Sequence, residues 1–398
     1  MKPRLLLAPF FLLMIISIKA QKREAIPGQY IVILKESAAT PVIKKQKKNI
    51  NREQKFNDNN EERQKNLNKV KEVRQRKNIK ESDVLEEYAD VTVGFSAKLN
   101  DKEKKDLESD PDVEAVYQDY AFDIGPLTLL PILATSVQQV GCNVTNAGGF
   151  VDGSSKSTCI WILDTGIDTD HPDLNVETKN AKSFVPNQTL EDGHGHGTHC
   201  AGIAAAKNNS FGSVGISAGA KVVPVKVLSD FGKGWDSWTL AGLNHVSKYD
   251  IPGDVVNMSL GGYDNGVIYS YEKSAVTKAI KALGDAGTWV VMAAGNDGGD
   301  AANHFPGCIN GNRVITVGSI NCNKDCSSFS NFNSFVVDYV ATGENVYSTY
   351  KSGGYASLSG TSMATPAVAG IIHSKNGFPN SGGTVTCRRI QVYKIAVR

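Results

Sequence analysis

The chain has 398 residues, 41% of them hydrophobic and 21% charged, with a formal net charge of +2. That length accommodates two or three domains with substantial cores, and the composition excludes a collagen-like, wholly disordered or multi-span membrane protein. The averages conceal an uneven chain: only Gly28 and Gly94 of the 38 glycines, and none of the seven cysteines, precede residue 124, while net charge runs +3 over 1–20, +10 over 21–80, −10 over 81–123 and −1 beyond.

Lys2 and Arg4 precede an apolar stretch over 5–18 and then Ala20, the pattern of a secretory signal peptide over residues 1–20. The stretch is interrupted by Pro9 and falls short of the about 20 residues that span a bilayer. Export, to the exterior or to a lytic compartment of the secretory pathway, makes disulfides expected. Seven cysteines suggest that six pair and one stays free, with Cys322 and Cys326 close enough for a local bridge. Glycosylation sequons stand at Asn143, Asn187, Asn208 and Asn257. The last lies within an apolar strand pattern and is expected to be buried and unmodified.

Over residues 21–123 the periodicity predicts strands at 29–34, 90–99 and 113–118 and a helix at 101–109. These make a small α+β unit. Its stretch 36–80 reads as an insertion, charged and nearly free of apolar residues over 44–80, holding at most a solvated helix. Nucleic-acid or membrane binding by this basic run is the weaker reading in an exported chain.

Past residue 124, near-continuous apolar runs at 160–163, 222–228, 254–260, 288–294 and 314–317 alternate with helical patterns at 238–249 and 270–286. This predicts an α/β fold, a doubly wound and mostly parallel sheet with helices on both faces. In such a sheet the functional site lies beyond the carboxyl ends of the strands.

Four Gly-rich motifs fall at such strand ends or helix starts: Asp164-Thr-Gly-Ile167, His194-Gly-His-Gly-Thr-His-Cys200, Ala294-Gly-Asn-Asp297 and Gly360-Thr-Ser-Met-Ala-Thr-Pro366. In this order they resemble the subtilisin-like serine proteases, the subtilases, and Cys200 after the histidine motif is similar to the proteinase K branch. The resemblance covers about 150–375. Residues 26–123 resemble the family's inhibitor-like pro-domain through Pro27-Gly-Gln-Tyr-Ile-Val and Asp110-Pro-Asp-Val, whereas 36–80 has no counterpart. The division implied is a signal at 1–20, a pro-domain at 21–123 and a peptidase domain at 124–398.

The resemblance implies a secreted endopeptidase made as an autoprocessed zymogen, cut near 122–124. Ser362 is the expected nucleophile, His196 its base, Asp164 the group that orients the imidazole, and Asn296 a donor to the oxyanion. Gly232 and Gly234 would border the substrate on one side, and Ser259, Leu260 and Gly261 on the other. Ala293, Ala294 and Gly295 would form one wall of a roomy, apolar pocket whose floor lies near 303–306. The implied partners are protein and peptide substrates and the chain's own pro-domain, with no nucleic acid, membrane or oligomer expected. Catalysis needs no cofactor. Asp338, in Phe335-Val-Val-Asp-Tyr339, matches a family calcium carboxylate, which carbonyls near Asn312 and Val314 would complete.

Two rival readings are weaker. A zinc site at His194, His196, His199 and Cys200 lacks a further ligand at a usual spacing, so His199 reads as a packed helix residue and Cys200 as the buried free thiol. A catalytically silent family member acting as a binding module conflicts with all four catalytic positions being filled. After Ser362 the chain is short. Gly377 and Pro379 should stop the helix by Lys375, and the tail from Ser381 is expected to form an edge strand or to be pinned by a disulfide.

Overall fold

A computed structural model describes residues 22–43, 51–125, 127, 130–132, 136–264, 274–388 and 390–398. The signal-peptide reading of 1–20 and the start of the helix expected over 270–286 lie outside these residues.

The first part is an antiparallel sheet with strands in the spatial order Val113–Asp123, Glu24–Leu34, Val93–Lys98 and Val84–Ala89. The helix Asp101–Glu108 starts at a capping box between Asn100 and Glu103, which satisfies amides that the helix itself leaves free. The strand Val84–Ala89 escapes the sequence reading because Glu86 and Glu87 interrupt its alternation.

The insertion departs from expectation. It forms two helices, Arg52–Asp58 and Asn60–Arg76, and buries Lys55, Arg63, Asn66, Val70, Val73 and Arg74. Val70 and Val73, three residues apart, pack into the core under the sheet. The buried cations are neutralised by carboxylates on other elements, among them Asp90 for Arg63 at 2.8 Å and Glu87 for Arg74 at 2.6 Å. A pattern read along one segment does not contain those partners.

Among the described residues, the second part is built on a ten-stranded sheet. Its spine of parallel strands runs Lys221–Lys226, Cys159–Asp164, Val255–Met258, Trp289–Ala293, Val314–Ile320 and Tyr339–Thr342. The helices His196–Ala205 and Thr361–Lys375 pack on one face, and Asp236–Tyr249 and Ala275–Ala286 on the other. Both faces are therefore covered, which is why the strands are uniformly apolar. The serine-bearing helix ends at Lys375, and the tail becomes a hairpin, Asn380–Cys387 with Gln391–Val397, on the sheet edge.

The cysteine pairing differs from the local bridge. Cys142 joins Cys322, Cys326 joins Cys387, and Cys159, Cys200 and Cys308 stay free. Cys322 and Cys326 sit on one tight loop, closed by the Asn321 amide donating to the Asp325 carbonyl at 2.8 Å, and each reaches a different element. Two bridges and three thiols replace the expected three and one. Asn257 is wholly buried, as is nearly all of Asn143, whereas Asn187 and Asn208 are exposed.

The Cys326–Cys387 bridge closes a 61-residue separation and ties the tail hairpin to the body. Chain-entropy arguments value such a crosslink at about 4 kcal/mol. Replacing both cysteines by serine should shorten the half-life of thermal inactivation severalfold, measured at a fixed temperature on the intact chain. An unchanged half-life would show that the hairpin is held by packing alone.

Candidate active site

Asp164 ends the strand Cys159–Asp164, in the middle of the sheet, with no exposure to solvent. Its Oδ1 accepts hydrogen bonds from His196 Nδ1 and from the Thr165 amide, both at 2.7 Å. His196 opens its helix after Gly195, whose φ of 104° suits glycine. Asp192 organises this helix start. Its Oδ1 accepts from the Gly195 amide (2.7 Å), the His194 amide (3.1 Å) and Thr165 Oγ1 (2.7 Å), and its Oδ2 from the Thr198 amide (2.8 Å). The sequence reading passed over Asp192, although an acidic residue just ahead of a helix start is a capping signal.

Burial by itself lowers the His196 pKa, but the Asp164 charge more than offsets it and holds the imidazole well above the usual 6.5. Burial pushes the neighbouring Cys200 thiol up, so it stays protonated at neutral pH, and Asp164 is the larger of the two upward influences on His196, with Cys200 the smaller. Cys200 Sγ lies 4.0 Å from His196 Nδ1 and 3.4 Å from the Ser362 carbonyl, linking the two helices behind the site.

Ser362 is the second residue of its helix. Its Oγ donates to the Ser259 carbonyl at 3.3 Å, and Ser259 Oγ donates to the Ser362 carbonyl at 2.8 Å. The hydroxyl therefore points towards the Ser259 carbonyl in this structure. Asn296 follows the strand Trp289–Ala293. Its Oδ1 accepts from the Thr361 amide (2.8 Å) and Thr361 Oγ1 (2.9 Å), which leaves Nδ2 as a donor in the recess shared with Ser362.

Asn331, absent from the sequence reading, fixes the loop that carries Asn296. Its Oδ1 accepts from the amides of Asp297 and Gly299, both at 3.0 Å, and its Nδ2 donates to the Ala294 carbonyl at 3.0 Å and to Asp297 Oδ2 at 3.2 Å. Four bonds from one buried amide leave that loop little freedom. Ser330-Asn331-Phe332 carries no periodicity or composition signal that would single it out.

The first part of the chain lies in the groove. Residues 121–123 pair antiparallel with Lys233–Trp235, in the register Ala121 with Trp235, Phe122 with Gly234 and Asp123 with Lys233. The Ile124 amide then donates to the Gly232 carbonyl at 3.0 Å. A Cβ on Gly234 would lie 2.8 Å from the Phe122 ring, and one on Gly232 3.0 Å from Ile124. Bare backbone is therefore what admits the strand. Ile124 lines the recess formed by Ser259, Leu260, Gly261, Gly295, Asn296 and Ser362. Among the described residues no main-chain bond joins 121–125 to Ser259–Gly261, so the strand pairs on one border only.

Of the small residues expected to wall the pocket, Ala293 and Gly295 line it and Ala294 does not. Ala294 points into a separate core with Ile320 and Val340, since successive side chains face opposite ways. Asp297 and His304 make the lining more polar than expected, and burial lowers the His304 pKa to about 4, leaving it neutral.

Among the described residues, Asp164, His196 and Cys200 are the three-member group close enough to share a metal ion. His194 and His199 stand outside that group and His196 Nδ1 is already engaged by Asp164, so the four residues of the zinc reading do not come together. His199 turns away, its Nε2 donating to the Ala356 carbonyl (3.0 Å), and burial lowers its pKa to about 3. Asp338 Oδ2 accepts from the Thr316 amide at 2.8 Å, and Lys394 lies within electrostatic reach. One carboxylate so engaged does not by itself make the six to eight oxygens calcium takes. No described helix is long and apolar enough to cross a membrane.

Residues 155–390 match the subtilase family and residues 29–124 the peptidase inhibitor I9 family. The chain is 36% identical over 311 residues to the alkaline serine protease ver112 of Corniculantispora psalliotae, covering 76% of this chain and 77% of that protein. It is 34% identical over 295 residues to proteinase R of Parengyodontium album, covering 71% and 70%. A crystal structure of a cold adapted subtilisin-like serine proteinase superposes with a TM-score of 0.52 at 31% identity, over 62% of this chain and 89% of that one. The chain belongs to the subtilase family and is a serine endopeptidase that carries an I9-type inhibitor segment ahead of its peptidase domain.

Proposed function

We propose that the protein is exported as a precursor, cuts itself at Ile124 or Gly125, and then hydrolyses peptide bonds in proteins through an acyl-enzyme on Ser362. The observation that carries this reading is the path of residues 121–124, which run as an added strand into the recess shared by Ser362 and Asn296.

Ser362 Oγ attacks the scissile carbonyl as His196 takes its proton. Asp164 holds the imidazole with Nε2 towards the serine and stabilises the imidazolium that forms. The carbonyl oxygen gains charge and is met by Asn296 Nδ2 and the Ser362 amide at the helix start, donors fixed before the reaction begins. His196 returns the proton to the leaving amine. Water then enters, loses a proton to the same imidazole and releases the acid.

Ser362→Ala should accumulate as uncut precursor of full length after the signal, read by intact mass. Normal processing of that variant would exclude self-cleavage.

His196 works as a base only when neutral, and its pKa lies above the ordinary value. Activity is therefore lost as pH falls through that raised pKa, placing the acid limb of the kcat/KM profile above about 6.5. Asp164→Asn removes the charge responsible. It should move the limb down and lower kcat roughly 10⁴-fold. An acid limb that stays in place would reject the assignment of Asp164.

Asn331→Ala frees the loop that positions Asn296. Because the donor it steadies is worth roughly 10²–10³ in turnover, kcat should fall at least tenfold with a small change in KM for a short chromogenic peptide. Equal losses in kcat for peptides and in folded yield would reduce Asn331 to a stability role.

A further inference from the structure

The helix Arg52–Asp58 docks far from the groove, at the amino ends of the strands whose carboxyl ends carry the site. Arg52 Nη2 donates to Asp254 Oδ1 at 2.9 Å and to Cys159 Sγ at 3.0 Å, while Nη1 pairs with Asp254 Oδ2 and donates to the Tyr249 carbonyl at 2.9 Å. Lys55 pairs with Asp250. Phe56 stacks on Tyr249, with ring centroids 5.3 Å apart and planes 6° from parallel. The side chains of Asp250 and Asp254 are both wholly buried in this arrangement. Arg63, on the following helix, pairs with Asp90 beside the inhibitor-like sheet and lies 4.9 Å over the Phe56 ring, so the contact is tied back to that sheet.

We infer that the charged insertion is a second anchor of the pro-domain on the peptidase domain, independent of the groove strand, and that it holds the severed pro-domain in place after the bond beyond Ile124 is cut. The groove strand must slacken or be replaced by substrate for the enzyme to work. Arg52 and Lys55 are under no such demand, because their partners lie at the other end of the sheet. Withdrawing them strips buried carboxylates of their counter-charges, a costly step that slows departure. The helix also supplies what a long-lived contact needs: a stacked aromatic, a two-pronged guanidinium–carboxylate pair and a second ion pair one turn away. The positive charge of 21–80 thus matches two acidic residues of the peptidase part across the interface.

The inference rests on the self-cleavage reading, and the test separates the two. Full-length wild type and Arg52→Gln/Lys55→Gln are produced side by side, and cleavage is followed by gel while activity is followed with a chromogenic peptide. Wild type should show a lag between cleavage and activity, with the cut pro-domain co-eluting with the peptidase on a sizing column. The double variant should cleave as before but shorten that lag at least ~10-fold and lose co-elution. An unchanged lag and unchanged co-elution would overturn the second anchor, whereas absence of cleavage in wild type would overturn self-processing instead. If the double variant fails to fold, hydrogen exchange on the cleaved wild-type complex decides. Protection of the 52–58 amides must persist after the cut, and its loss while the two parts still co-elute would overturn the anchor.

Discussion

Residues 121–124 lie where a substrate would because two strands meet without side chains between them. Gly234 admits the Phe122 ring and Gly232 admits Ile124, so the inhibitor-like sheet continues into the peptidase domain as a fifth strand. Contacts beside the strand support that register. Asp119 Oδ1 accepts from the Ser237 amide at 3.1 Å, at the start of the helix Asp236–Tyr249, and the other oxygen accepts from Gln29 Nε2 at 2.6 Å. A carboxylate at that end of a helix meets free amides and the positive end of the dipole. Asn244 Oδ1, farther along the same helix, accepts from the Asp90 and Val91 amides at 3.2 Å.

Such an interface also suits the folding problem of the second part. The strand Cys159–Asp164 pairs with Lys221–Lys226 on one side and Val255–Met258 on the other, segments about 60 and 95 residues away. Parallel strands joined by long crossovers form late, since each connection must close before its contacts are gained. The inhibitor-like sheet seats the helix Asp236–Tyr249 and reaches Ala275–Ala286 through the Lys278–Glu114 pair, two members of one of the helical layers that must come together. The same surface also fills the recess lined by Ser362, so the contact that seats this helical layer is continuous with the one that occupies the site.

The strands of the peptidase sheet were legible because burial on both faces makes them plain apolar runs. The positions of Asp164, His196, Asn296 and Ser362 were legible because each sits in a Gly-rich strand end or helix start. What escaped depends on partners distant in sequence. Lys55 and Arg63 look like solvated charges until Asp250 and Asp90 are placed beside them. Cys322 and Cys326 look like partners until the helix at Cys142 takes one and the tail hairpin the other. Asn331 acts through four bonds to a loop more than 30 residues upstream, and nothing in its local sequence marks it. Ala294 was misassigned for a simpler reason: its neighbours line the recess and the strand alternates.

The central claim is that residues 121–124 occupy the groove as the chain's own substrate. Intact mass and N-terminal sequencing of the processed protein test it most directly. Cleavage at Ile124 or Gly125 is the result this account predicts, since the main-chain register with Lys233–Trp235 leads Ile124 into the recess that Ser362 lines. A mature terminus upstream of Phe122, or beyond Cys142, would contradict it, because neither bond lies within reach of the groove in this register.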